Sequence, residues 1–293
     1  MKRVASIDIG TNSTRFLVAE YDGAHLNRIE TGQITTRLGK RMAGGKLLPE
    51  TMLSTADAVG LFYQKALDLG AGAVTAAATS AVRDASNQAD FLEMIEQRTG
   101  LPVRVLSGEE EAALSWRGVL SGLPVGPCAT LVIDIGGGST EFIWMRGARL
   151  RLVSVNAGAV RLTAAGAGEA VTYKILRPAL EEVQRCAPAG LVGVGGTITA
   201  LAAIDQQLAL YDPDRVHGYN LSLLSVQRIL KMLQNLEVEE RRKMPGLQPA
   251  RADIIVAGVD IARIIMENLG LESMLVSECD ILYGLALTEV ERK

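Results

Sequence analysis

Ile7-Asp8-Ile9-Gly10-Thr11-Asn12-Ser13-Thr14-Arg15-Phe16 can be laid, without a gap, over Ile133-Asp134-Ile135-Gly136-Gly137-Gly138-Ser139-Thr140-Glu141-Phe142, and seven of the ten positions are identical. In each copy an apolar strand ends in Asp, a glycine-bearing turn with Ser-Thr follows, and a second apolar strand leaves, which describes a β-hairpin with a polar tip. Turn chemistry alone does not require the same phrase twice. One copy opens each half of the chain, so an internal duplication is expected, with two related lobes whose hairpin tips face each other across a cleft.

Around these hairpins the pattern is α/β. Strand-like runs at 3–9, 15–20, 73–79 and 103–106 alternate with helical runs at 49–69 and 88–98, which Gly70 and Gly100 stop. The second half repeats the theme, with strands at 130–135, 141–145, 151–156, 190–193 and 274–276. Helices are expected there at 173–185, 197–210, 222–235, 251–269 and 280–291. The Gly/Pro-rich stretch 121–127 is the natural boundary. A chain of 293 residues, 48% hydrophobic and 22% charged, has room for two cores. A net charge of -3 provides no global positive field to collect nucleic acid or anionic lipid, so an anionic ligand must be held locally. Asp8 interrupts the apolar run after Met1-Lys2-Arg3, and Asp260 and Arg263 interrupt the window 254–266, so neither a secretory leader nor a membrane span is expected. Three widely spaced cysteines, Cys128, Cys186 and Cys279, read as buried thiols in a reducing cytoplasm.

Glycines let the backbone approach a ligand and point successive N–H groups into one concavity, the arrangement that binds phosphate. Gly136, Gly137, Gly138 and Ser139 supply such a nest, while Asn12 and Ser13 bring an amide and a hydroxyl to the first tip. Asp8 and Asp134 would repel phosphate unless a divalent cation sat between, and carboxylate plus phosphate oxygens is the usual magnesium environment. Other phosphate loops fail by letter: Gly45-Lys46 is followed by Leu47, not Ser or Thr, and the third glycine of a dinucleotide fingerprint beginning at Gly193 would fall on Ile198. Gly195, Gly196 and Thr197 instead read as a third glycine-rich turn, aimed at an anion from a helix N-terminus.

Together with Ala78-Thr79-Ser80-Ala81-Val82-Arg83, Ser107-Gly108-Glu109-Glu110-Glu111-Ala112, Gly158-Ala159-Val160-Arg161, Gly193-Val194-Gly195-Gly196-Thr197, His217-Gly218 and Arg251-Ala252-Asp253, the hairpins resemble the exopolyphosphatase/guanosine pentaphosphate phosphatase (Ppx/GppA) family. The resemblance covers nearly the whole chain. It implies the two-lobed actin-like ATPase (ribonuclease H-like) fold with an interdomain cleft and a last helix, about 280–293, that crosses back onto the first lobe; the Gly/Pro-rich boundary sets the lobes at 1–123 and 124–279. It also implies removal of a terminal phosphate from inorganic polyphosphate or guanosine pentaphosphate with Mg2+ or Mn2+. Longer relatives append helical domains that grip long polymers; a chain ending at Lys293 is expected to favour short polyphosphate or a nucleotide, or to compensate as a homodimer.

Ser107 and Glu110 form a capping box, and Glu109 favours the helix dipole, so neither needs an enzyme to explain it. Glu111 projects about 100° away from Glu110. It aligns with the family's catalytic glutamate and is expected to deprotonate the attacking water. Arg83 and Arg15 follow the strands and turns of the first half and are candidates to neutralise the transferred group, Arg83 being the better placed. Glu141 stands where the first repeat has Arg15; the resemblance assigns Glu141 and Asp134 to the metal and its waters, and Asp8, at the end of the first strand, joins them as a metal candidate from its place at the tip. His25 and His217 are isolated, and the run 237–243 reads as a solvated helical face. An ATP-dependent small-molecule kinase and a nucleotide-switched scaffold are the competing readings within the same superfamily.

Overall fold

The computed structural model describes residues 2–40, 42 and 45–292, so Met1 and Lys293, the outer limits of the expected first lobe, lie outside the described residues. The strands are β1 (Lys2–Ile9), β2 (Thr14–Tyr21), β3 (Leu26–Ile34), β4 (Ala73–Ala78), β5 (Val103–Val105), β6 (Thr130–Ile135), β7 (Thr140–Arg146), β8 (Arg149–Val155), β9 (Gly190–Val194), β10 (Asn220–Ser222) and β11 (Ser273–Val276). The α-helices are α1 (Pro49–Asp68), α2 (Ser80–Arg83), α3 (Gln88–Thr99), α4 (Gly108–Gly122), α5 (Ala159–Ala164), α6 (Glu169–Gln184), α7 (Gly196–Asp205), α8 (Pro213–Val216), α9 (Leu223–Gln234), α10 (Val238–Arg241), α11 (Ile255–Leu269) and α12 (Ile281–Glu291). They fall into two compact units, Met1–Ser121 with Asp280–Lys293, and Gly122–Cys279.

The first unit holds a five-stranded sheet in the order β3-β2-β1-β4-β5, antiparallel from β3 to β1 and parallel from β1 to β5. β1 is buried along most of its length because both faces are covered. Ala5, Ile7 and Ile9 point to a core with Val59 and Phe62 of α1 and Phe91 and Ile95 of α3. Ser6, on the opposite face, donates to the carbonyl of Leu282 in α12 (2.8 Å), and Ala77, Leu106, Leu114, Ile281 and Leu285 form a second, smaller core. α12 meets α4 at backbone distance: a Cβ on Gly118 would lie 2.0 Å from the Asp280 carbonyl, and one on Gly284 2.1 Å from that of Leu114.

The second unit repeats the plan with a six-stranded sheet, β10-β11-β9-β6-β7-β8, in which β6, β7 and β8 are the antiparallel meander and β9 and β11 the parallel neighbours. A meander followed by parallel strands, twice over, is the ribonuclease H-like topology of the actin-like ATPase fold. Among the described residues no helix is long and apolar enough to cross a membrane.

Several elements depart from the sequence expectations. β3 was not anticipated: its residues alternate between exposed and half-buried at a sheet edge, so it carries no apolar run. The helix expected over 197–210 ends at Asp205, where Gln207 takes a left-handed conformation (φ 52°). The one expected from 251 starts at Ile255, after a short 3-10 turn over Pro249–Arg251. Conversely, α6 begins four residues before the expected Tyr173, and tolerates Pro178 inside it. In the 237–243 run, Arg241 is not a solvated charge: it is half-buried and its guanidinium donates to the carbonyls of Leu233 and Ala252.

Candidate active site

At the first hairpin tip the backbone is tied down from behind. Gly10 N–H donates to the Ser13 carbonyl (3.0 Å), Arg37 N–H to that of Asn12 (2.8 Å) and Gly39 N–H to that of Thr11 (2.9 Å). In a trans peptide the carbonyl and the next N–H point in opposite directions. The amides of Asn12 and Ser13 therefore face away from the 37–39 segment. The Thr11 hydroxyl pairs with that of Ser80 (2.8 Å), joining the tip to the start of α2. Asn12 is only 7% exposed, yet its side-chain Nδ2 has no hydrogen-bond partner. A buried donor in that state is costly unless something absent from the protein chain satisfies it.

The second tip follows the same logic with a different clamp. The short helix α5 takes its carbonyls: Ala159 N–H donates to Gly136 O (3.0 Å), Val160 and Arg161 N–H to Gly137 O (2.8 and 3.0 Å), and Arg161 Nε to Gly138 O (2.7 Å). The N–H groups of Gly137, Gly138 and Ser139 consequently point together on the other side, a three-amide nest. Gly158 makes this approach feasible, since a Cβ there would sit 2.4 Å from the Gly137 backbone. The third turn also has a glycine that only glycine suits: Gly195 has φ 89°, and a Cβ on it would lie 2.8 Å from Asp134 Oδ1. This brings Asp134 against the N-terminus of α7. Thr197, expected to aim its hydroxyl at an anion, is buried with its side chain against Gly258 of α11.

Strand register explains how the two repeats differ. Asp8 is opposite Arg15 in the β1/β2 ladder, and Asp134 is opposite Glu141 in β6/β7. Cross-strand partners share a face, so one repeat pairs opposite charges and the other pairs two carboxylates. Arg15 donates through Nε (3.1 Å) and Nη2 (2.7 Å) to Asp8 Oδ2 and through Nη1 to Asp280 Oδ2. Burial pushes the Asp8 carboxyl up, Arg15 draws it back down, and nearby Asp280 pushes it up again. Burial works against the charge on Arg15, but Asp280 and Asp8 together hold it firmly protonated. Glu141 is buried and accepts from the Ser154 hydroxyl (2.7 Å).

Glu111 is in the first turn of α4, whose start is fixed by the expected capping box: Glu110 N–H donates to Ser107 Oγ (3.1 Å) and Ser107 N–H to Glu110 Oε2 (2.9 Å). Glu111 is 9% exposed, and its Oε2 accepts from Arg83 Nη1 at 3.0 Å. The same Nη1 reaches the Leu106 carbonyl (2.9 Å). The structure thus brings Glu111 and Arg83 together. It places Arg15 between two carboxylates, a placement that sequence reasoning missed because Asp280 is 265 positions away.

Arg251 was not assigned a role from sequence either. It is buried, with its guanidinium packed flat on the turn: a Cβ on Gly196 would meet Nη2, Cζ and Nη1 at 2.1–2.3 Å. Only its place inside a family-like motif marked it.

A family model for the Ppx/GppA phosphatase family matches residues 17–292. The chain belongs to the Ppx/GppA phosphatase family. It is 32% identical to exopolyphosphatase 2 of Mycobacterium tuberculosis, across 98% of this chain and 98% of the relative. Among solved structures, a Ppx/GppA family member from Aquifex aeolicus has 29% identity and a TM-score of 0.79, covering 99% of this chain and 97% of that one. An exopolyphosphatase from Cytophaga hutchinsonii, at 24% identity, shares the fold with a TM-score of 0.90 over 99% of this chain and 98% of its own.

Proposed function

We propose that this Ppx/GppA phosphatase releases terminal orthophosphate from inorganic polyphosphate, with the 5′ phosphate of guanosine pentaphosphate as an alternative substrate of the same anhydride class. The observation that carries the proposal is the three-amide nest of Gly137, Gly138 and Ser139, created when α5 occupies the carbonyls behind it. Such a nest binds a phosphoryl group through fixed dipoles. In the first unit, the buried Asn12 Nδ2 is itself a donor of the kind a phosphate oxygen satisfies. The likeness to exopolyphosphatase 2 of Mycobacterium tuberculosis supports polyphosphate as the substrate.

In this reading Glu111 accepts the proton of the attacking water, and Arg83 holds the carboxylate in place from 3.0 Å while its positive charge offsets developing negative charge. The tip amides bind and orient the terminal phosphoryl group. The donor set also fits a hard divalent cation. Asp8 Oδ1 is buried without a hydrogen-bond partner, and all the candidate ligands are carboxylate oxygens. Among the described residues no three acidic, His or Cys side chains make a cage, so phosphate oxygens and water would complete the shell around Asp8, Asp134 or Glu141. When bound, the cation would offset charge on the phosphoryl oxygens.

The test is phosphate release measured side by side from short polyphosphate, long polyphosphate, guanosine pentaphosphate and ATP, with no acceptor, before and after EDTA. The proposal expects turnover of at least one of the first three, lost in EDTA and restored by Mg2+. Release from ATP alone would point to a nucleotide-switched ATPase, and transfer of the phosphoryl group to an added acceptor with no orthophosphate released would point to a kinase; either result rejects the proposal.

A further inference from the structure

We propose that Asp280 is a positioning residue that keeps one oxygen of Asp8 open to a divalent cation. The inference rests on the reading above in which Asp8 serves such a cation, and it concerns a residue that neither the repeat nor the family-like motifs point to.

The geometry is unusual in one respect. An arginine facing a carboxylate ordinarily forms a two-to-two fork, with Nε and Nη2 on separate oxygens. Here both Nε and Nη2 of Arg15 go to the same oxygen of Asp8, Oδ2. Asp8 Oδ1 is left buried with no hydrogen-bond partner, although a guanidinium lies beside it. The reason is on the other edge of Arg15, where Nη1 is taken by Asp280 Oδ2. Arg15 is shared between two carboxylates, and the shared position prevents it from closing the fork on Asp8.

Asp280 cannot follow Arg15 toward Asp8, because it is anchored. Its Oδ1 caps α12 by accepting from Leu282 N–H (3.0 Å). Its carbonyl lies against Gly118 of α4, and the next residue, Ile281, is packed with Ala77, Leu106 and Leu114. The Ser6 hydroxyl, two residues before Asp8 on the same strand face, holds the Leu282 carbonyl. The start of α12 is therefore a fixed stop for one edge of Arg15. Two carboxylates around a single guanidinium also leave one negative charge over, so the pocket around Asp8 Oδ1 suits a cation.

The test is Mn2+ binding, read as loss of the free-ion electron paramagnetic resonance signal, alongside thermal unfolding. In Asp280→Asn the amide oxygen can still cap α12, but the side chain no longer attracts Arg15, which closes on both oxygens of Asp8. Mn2+ affinity is expected to fall about 10-fold or more, the scale at which ligand charge tunes such sites, with unfolding little changed. Adding Arg15→Met to Asp280→Asn removes the blocking guanidinium and is expected to recover most of that affinity. A purely structural Asp280 would instead give additive losses. The proposal is overturned if Asp280→Asn binds Mn2+ as the wild type does, or if the double variant binds no more tightly than Asp280→Asn. Asp8→Asn separates the two ideas. Wild-type Mn2+ binding in that variant rejects the reading of Asp8 itself, whereas its loss there, with normal binding in Asp280→Asn, rejects Asp280 alone.

Discussion

Replacing Glu111 by Gln removes one proton acceptor and keeps the size of the side chain. The carboxylate is buried against Arg83 at 3.0 Å, and the glutamine oxygen can accept the same hydrogen bond. The charged share of the bond to Arg83 is worth about 1–2 kcal/mol, or a few degrees in Tm for a chain of this size. Catalysis loses more. A positioned general base contributes roughly 10²–10⁴-fold, equivalent to about 3–5 kcal/mol of barrier. The two effects are thus separable, and the catalytic one is larger. The assay is steady-state phosphate release from short polyphosphate, with circular dichroism on the same preparation. kcat should fall by about 10² or more while KM changes little, because an interaction specific to the transition state has been removed. A folded Glu111→Gln protein that turns over at the wild-type rate would refute the assignment of Glu111 as base.

Arg83→Met removes the guanidinium that donates to Glu111 Oε2 from 3.0 Å; kcat/KM on short polyphosphate should fall by about 10²-fold, as for loss of one charge-stabilising donor, and an unchanged kcat/KM in a folded variant would show that Arg83 does not serve the site. Gly118→Ala and Gly60→Ala should have opposite signs in urea unfolding. At Gly118 a Cβ meets the Asp280 carbonyl at 2.0 Å, and the clash, about 1–3 kcal/mol or more, outweighs the gain of about 1 kcal/mol from helix propensity. At Gly60 in α1 the nearest contact is an ordinary 3.6 Å from Thr99, so the propensity gain should show. Equal effects would contradict the α4–α12 contact. Glu110, whose carboxylate is held below its ordinary value by the Ser107 N–H, stabilises the fold above the unfolded-chain pKa, and that contribution is lost as pH falls through the lowered folded value. Glu110→Gln should therefore flatten the acid side of the stability–pH curve, and an unchanged slope would count against the capping box.

The hairpins were legible because their signal is local: an apolar strand, Asp, glycine, Ser-Thr, repeated at matching places. The capping box was legible for the same reason. What escaped is mostly what depends on distant partners. Nothing near Arg15 in sequence announces Asp280, and nothing in Gly137 tells that α5 will take its carbonyl. Gly158 carried a trace of that clamp, since a glycine is needed where a would-be Cβ would lie 2.4 Å from the Gly137 backbone. β3 was hidden for a different reason: as an edge strand it buries only part of one face, and an alternation of half-buried and exposed polar residues resembles a loop.

The central claim is that water attacks the terminal phosphorus of an anhydride chain while Glu111 takes its proton. Hydrolysis of short polyphosphate in oxygen-18 water, followed by phosphorus NMR of the products, measures this directly. The account predicts one solvent oxygen in each orthophosphate released and none in the shortened chain. Unlabelled orthophosphate, with the heavy oxygen at the new chain end, would place the attack on the penultimate phosphorus and contradict it.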